Sequence, residues 1–120
     1  MKKILLAEDD PAYNKLLTEY LSSVGYTVIS AHNGVEAFKK YLREKPQVVI
    51  TDILMPEEDG IGLLIKIKKD LPCKTVVYSG GGHSEAIDYL YMAKQLGAEK
   101  ILRKPFELQD LADAVAELMD

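Results

Sequence analysis

The sequence has one cysteine, Cys73, so no internal disulfide can form, and its apolar runs fall far short of the roughly 18 residues a membrane-spanning helix needs. Positive charge is also scarce. Fifteen Lys and Arg stand against 19 Asp and Glu, for a formal net charge of −4. That sign disfavours unaided binding to nucleic acid or a membrane surface, and the excess is too small for a disordered acidic tail. The N-terminal MKKILLAEDD has no leader's apolar stretch, since Ile4 to Ala7 is shorter than the roughly 7 to 15 residues of a signal-peptide core. Linkers, repeats and low-complexity tracts are missing as well. These absences leave the expectation of a cytoplasmic chain, one domain over residues 1–120, whose 48% hydrophobic content suffices for one core.

What the sequence does contain is an alternation, five times over, of short β-rich apolar runs with stretches whose apolar residues recur every three or four positions. Strands are expected at Lys3–Glu8, Thr27–Ala31, Val48–Thr51, Thr75–Tyr78 and Lys100–Leu102. The first helix takes Asp10 as its cap and Pro11 as its first residue, is expected to bury Tyr13, Leu16, Leu17, Tyr20, Leu21 and Val24, and stops at Gly25. The second, from Gly34 to Arg43, has Asn33 as cap with Glu36 three residues on, and Pro46 blocks its continuation. The third is expected from Ile61 to Lys69, behind the acidic Glu57, Glu58 and Asp59, and the fourth from Ser84 to Leu96 with Gly97 as its stop. A fifth would bury Leu108, Leu111, Ala112, Val115 and Leu118. Strands joined by helices pair in parallel with right-handed crossovers, which gives a doubly wound α/β layer. Such sheets carry their sites outside the carboxyl ends of the strands.

At those ends stand Glu8 and Asp9 after the first strand, Asp52 after the third, Ser79 after the fourth and Lys104 after the fifth. Two carboxylates about 4 Å apart repel by roughly 4 kcal/mol at an effective dielectric near 20, so three need a cation or must keep a proton. Lys104 alone cannot neutralise three acids. The candidate ligands are all oxygens, with no second cysteine and no histidine pair, which favours Mg²⁺ over zinc. A carboxylate beside Mg²⁺, faced by a lysine and a hydroxyl, suits phosphoryl transfer with Asp52 as the nucleophile.

The segments ILLAEDD, VVITDILMPEEDG, YSG and LRKPF, in this order, resemble the four motif regions of response-regulator receiver domains of two-component signalling, and the resemblance covers essentially the whole chain. It implies a flavodoxin-like (βα)5 fold with strand order 2-1-3-4-5. It also implies that Asp52 accepts a phosphoryl group from a sensor histidine kinase or histidine phosphotransfer protein, with Mg²⁺ held by Asp9, Asp52 and the carbonyl of Leu54, and with Glu8 acting through water. Ser79 takes the switch-hydroxyl position and Lys104 the phosphate-pairing position, Lys104–Pro105 being a candidate cis peptide. A downstream protein would then meet the face of helix four, strand five and helix five. Such a domain catalyses only its own aspartyl phosphorylation and dephosphorylation. The chain departs from the family at Ile101, where an aromatic switch residue is common, and in the glycine-rich GGGHSE after Ser79.

Other readings are weaker. A flavodoxin-like electron carrier would need a neutral first loop, and EDDP repels a phosphate. An aspartate-nucleophile Mg²⁺ phosphatase resembling the haloacid-dehalogenase pattern would carry an acid where this chain has Leu54. A pseudo-receiver, a pure interaction module, would have no use for the intact set of acids, hydroxyl and lysine. His83 and His32 read as solvent-facing, Cys73 as an inert small side chain, and one of Tyr89 and Tyr91 as exposed.

Overall fold

Every residue of VVITD, Val48–Asp52, is buried, which is the signature of a middle strand covered by helices on both faces. The computed structural model describes residues 2–53, 60–70, 73–79 and 84–119. Its elements run β1 (Lys3–Ala7), α1 (Pro11–Ser23), β2 (Thr27–Ala31), α2 (Gly34–Glu44), β3 (Val48–Asp52), α3 (Gly60–Asp70), β4 (Lys74–Ser79), α4 (Ser84–Gln95), β5 (Lys100–Arg103) and α5 (Leu108–Met119). All strand pairs are parallel, in the order β2-β1-β3-β4-β5. The doubly wound α/β sheet is therefore as expected, with element ends shifted by one residue at several places. No described helix is long and apolar enough to cross a membrane.

The alternation of side chains along the strands divides the core. Ile4, Leu6, Val48, Ile50, Val76 and Tyr78 face α1 and α5, where they meet Leu17, Leu21, Leu111, Ala114 and Val115. Leu5, Ala7 and Val49 face Ala37 and Tyr41 of α2 and Leu63 and Ile67 of α3. Further along that second face, Ile53, Leu64, Val77, Leu90 and Ala93 form a third cluster, against which the half-buried Ile101 packs. The edge strands β2 and β5 are only partly covered.

Two expected core residues of α1 are exposed instead: Leu16 is 46% and Val24 49% accessible. Helix α1 touches the sheet along the stripe Leu17 and Leu21, and consecutive residues are about 100° apart on a helix, so Leu16 cannot share that stripe. Val24 is already the C-cap, beyond the last helical turn, before Gly25 turns the chain at φ 113°. Tyr13 and Tyr20 lie half-buried at its margins. In α5, Leu108 and Leu118 are likewise half-buried, and Ala114 joins the expected Leu111, Ala112 and Val115 inside. The caps follow the sequence: the Asp10 carboxylate accepts from the Ala12 amide, and Asn33 accepts from the Glu36 amide at 2.8 Å.

Candidate acidic site at the strand ends

Parallel register brings the ends of β1, β3 and β4 level. Ala7 pairs with Ala31 and Thr51, Asp52 with Tyr78, and Ser79 with Arg103. The ladder continues one step further, with the Glu8 amide donating to the Ala31 carbonyl at 3.0 Å and the Lys104 amide to the Ser79 carbonyl at 2.9 Å. Side chains at these positions are thus carried on rigid backbone. The consequence is that one carboxylate oxygen from each of Glu8, Asp9 and Asp52 lies within 4.8 Å of the others. Like charges at that separation repel by about 3 to 4 kcal/mol per pair at an effective dielectric near 20.

Glu8, 1% exposed, bears most of this tension. Burial pushes its carboxyl up to about 7, helped by the charge of Asp52, while hydrogen bonds from Tyr78 and the Asp10 amide and the charge of Lys104 pull the other way. The Tyr78 hydroxyl donates to Oε1 and the Asp10 amide to Oε2 at 2.9 Å. Asn14, itself buried, donates to the carbonyls of Glu8 at 3.0 Å and Ala31 at 3.1 Å, which ties the end of β1 to the end of β2. Asp52 is 8% exposed.

Around the acids stand the remaining expected residues. Ser79 is fully buried and its Oγ has no hydrogen-bond partner among the described residues, an arrangement that costs about 1 to 3 kcal/mol unless something arrives to fill it. The Lys104 ammonium rests 4.0 Å from the ring centre of Tyr13 and 5.4 Å from that of Tyr78, a cation–π contact that parks the charge beside the acids. Lys104–Pro105 is cis. The donor set suits a hard divalent cation: among the described residues it holds three carboxylates and no thiol or imidazole, and Ser79 lies on β4 one residue beyond the partner of Asp52. Leu54 lies outside the described residues, as do Glu57, Glu58, Asp59, the three glycines after Ser79, His83 and the side chain of Tyr89. Tyr91 is 65% exposed. Cys73 is buried, and burial pushes its thiol up to about 12, which agrees with an inert role. His32 is exposed, 3.6 Å from Glu36.

Sequence reasoning passed over four residues that build this site. Tyr13 reads only as a buried residue of the first helix and Tyr78 only as the end of a strand, and Asn14 is given no role. Gly60 ends the segment VVITDILMPEEDG, and a side chain there would begin 2.4 Å from the Asp52 carbonyl oxygen and 2.6 Å from Ile53 Cα. A polar-tipped tyrosine directly after the apolar pair Val76–Val77, one residue before the strand's end, is the available signal for Tyr78.

The sequence matches the family described as response regulator receiver domain over residues 4–116. The chain belongs to that family. Among curated relatives of this receiver domain, the response regulator receiver protein CpdR of Brucella abortus is 34% identical over 99% of this chain and 98% of its own length. Sporulation initiation phosphotransferase F of Bacillus subtilis is 30% identical over 98% of this chain and 94% of its own. Other relatives are longer, and the chain spans about half or less of them; the probable transcriptional regulator ycf27 of Guillardia theta is 35% identical but only 42% covered. A receiver domain structure from Clostridium thermocellum superposes with TM-score 0.92 at 30% identity, covering 99% of this chain and 94% of that one.

Proposed function

We propose that this receiver domain takes a phosphoryl group onto Asp52 from the phosphohistidine of a sensor histidine kinase or a histidine phosphotransfer protein, and that the modification switches a protein-binding face. The observation that carries the reading is the gathering of Glu8, Asp9 and Asp52 within 4.8 Å, with the buried Ser79, whose hydroxyl is unpartnered among the described residues, at the end of the neighbouring strand. Likeness to a sporulation phosphotransferase over nearly the full length of both chains supports it. The site would hold Mg²⁺ through Asp9 and Asp52, with Glu8 next to them and the Leu54 carbonyl as a further oxygen ligand. Bound there, the ion would neutralise the carboxylates and draw charge from the phosphoryl oxygens.

The chain's own residues do the rest. An Asp52 carboxylate oxygen attacks phosphorus, the phosphorus–nitrogen bond of the donor breaks, and the imidazole leaves with its electron pair, giving an acyl phosphate. Lys104 leaves the Tyr13 face to pair with a phosphoryl oxygen, and the Ser79 hydroxyl donates to another. The face that responds comprises α4, β5 and α5, on which the exposed Tyr91 stands. Incubation with acetyl phosphate and Mg²⁺ followed by mass spectrometry tests the reading. One alkali-labile phosphoryl group is expected, absent from Asp52→Asn. Absence of any adduct on the wild type would leave an interaction module not regulated by phosphorylation.

A further inference from the structure

In strand β4, KTVVYS, Tyr78 follows the buried Val76 and Val77 and is the largest fully buried side chain among the described residues. Its ring is wedged edge-on between Tyr13, at 6.0 Å between centroids, and Phe106, at 5.8 Å. This packing fixes the ring, and hence aims the hydroxyl, which emerges from the core at Oε1 of Glu8. Oε2 is taken by the Asp10 amide and the main-chain carbonyl of Glu8 by Asn14, so the residue is held at three points.

Glutamate carries one more rotatable bond than aspartate, and that freedom must be frozen before its carboxylate can face Asp9 and Asp52. Phenylalanine would fill the ring's space equally well but could not hold the carboxylate. We propose that Tyr78 is a positioning residue: its hydroxyl fixes the Glu8 carboxylate toward Asp9 and Asp52 and so sets the affinity of the acidic site for Mg²⁺. The inference rests on the reading that this site takes Mg²⁺. Loss of a group that orients a metal-site ligand through a hydrogen bond typically weakens metal affinity by about 10- to 100-fold.

The test is Mg²⁺ titration by calorimetry on the wild type, Tyr78→Phe, Glu8→Asp and the double variant. Tyr78→Phe is expected to weaken Mg²⁺ binding roughly tenfold. In the Glu8→Asp background, where the shorter side chain cannot reach the hydroxyl, the same change should alter affinity by less than about twofold. Wild-type affinity in Tyr78→Phe, or an equal loss in both backgrounds, would overturn the positioning role in favour of packing alone. Should Tyr78→Phe fail to fold, the wild type decides: the carbon-13 signal of the hydroxyl-bearing ring carbon of Tyr78 must move on adding Mg²⁺, while that of Tyr26, at the other end of the sheet, stays. A stationary Tyr78 signal overturns the proposal. Asp9→Ala separates the two levels of inference. Binding lost in Asp9→Ala but intact in Tyr78→Phe refutes only the role of Tyr78, whereas binding unaffected by Asp9→Ala refutes the Mg²⁺ site and this proposal with it.

Discussion

Glu8 is the residue at which the cost of assembling the site concentrates. Its folded carboxyl binds a proton more tightly than the ordinary 4.5, near 7, so the folded state holds more protons than the unfolded state between these values. Stability of the metal-free protein is therefore highest, as far as this group is concerned, below pH 4.5 and falls as pH rises toward 7, by on the order of 3 kcal/mol in all. Glu36 and Glu99 are shifted downward, mainly through bonds to Lys40 and Lys68 that outweigh their burial, and lose their contribution at lower pH, outside this window. Urea unfolding from pH 4.5 to 7.5 in chelator should show the decline in the wild type and a flatter profile in Glu8→Gln. Saturating Mg²⁺ should flatten the wild-type profile too, because the ion favours the charged carboxylate. Parallel profiles for the two proteins in chelator would remove Glu8 as the cause. The sequence marked Glu8 as a strand-end acid, yet the burial and the Asp52 charge that raise its carboxyl, and the Tyr78 hydrogen bond from 70 residues away that opposes them, are connected by no local pattern.

Helices and strands were legible because caps and periodicity are local. Asp10 with Pro11, and Asn33 with Glu36, began α1 and α2 where the residues said they would. The orientation of α1 was less legible. Leu16, Leu17, Tyr20, Leu21 and Val24 offer a wider apolar arc than the sheet can cover, and only docking selects Leu17 and Leu21. Truncation separates them: Leu17→Ala should cost about 2 to 5 kcal/mol by chemical denaturation, and Leu16→Ala no more than about 0.5 kcal/mol. Comparable losses would mean that α1 sits differently. The approach of α3 to β3 is tighter still. Gly60→Ala should destabilise the fold by about 1 to 3 kcal/mol, since backbone rather than a flexible side chain opposes the new methyl. It should also weaken Mg²⁺ binding, because the displaced atoms belong to Asp52 and Ile53; unchanged affinity would show that the strand end yields without moving the carboxylate.

On the scale of the whole molecule, the site lies where strand ends meet, and in the proposed function a phosphorylation signal would cross the sheet to the α4, β5 and α5 face. In that proposal Lys104 and Ser79 would carry it, the one parked on Tyr13 and the other with its hydroxyl unpartnered among the described residues. Lys104→Ala should still accept phosphate on Asp52 but lose the phosphorylation-dependent change in hydrogen exchange over 84–95 and 100–103. Ile101→Val should leave that change intact, for Ile101 fills the cluster around Val77 and Leu90 and has no hydroxyl to swing between inside and outside. Unaltered exchange changes in Lys104→Ala would place the signal elsewhere. The sequence by itself determined the elements, their parallel pairing and the acids, hydroxyl and lysine at the strand ends, because hydrophobic period, caps and crossover handedness act over a few residues or one βα unit. Only the tertiary structure decided which face of α1 is buried, how closely Gly60 must approach Asp52, and that a core tyrosine holds Glu8. Each of these depends on distances between segments far apart in the chain, which close packing sets and no single segment encodes.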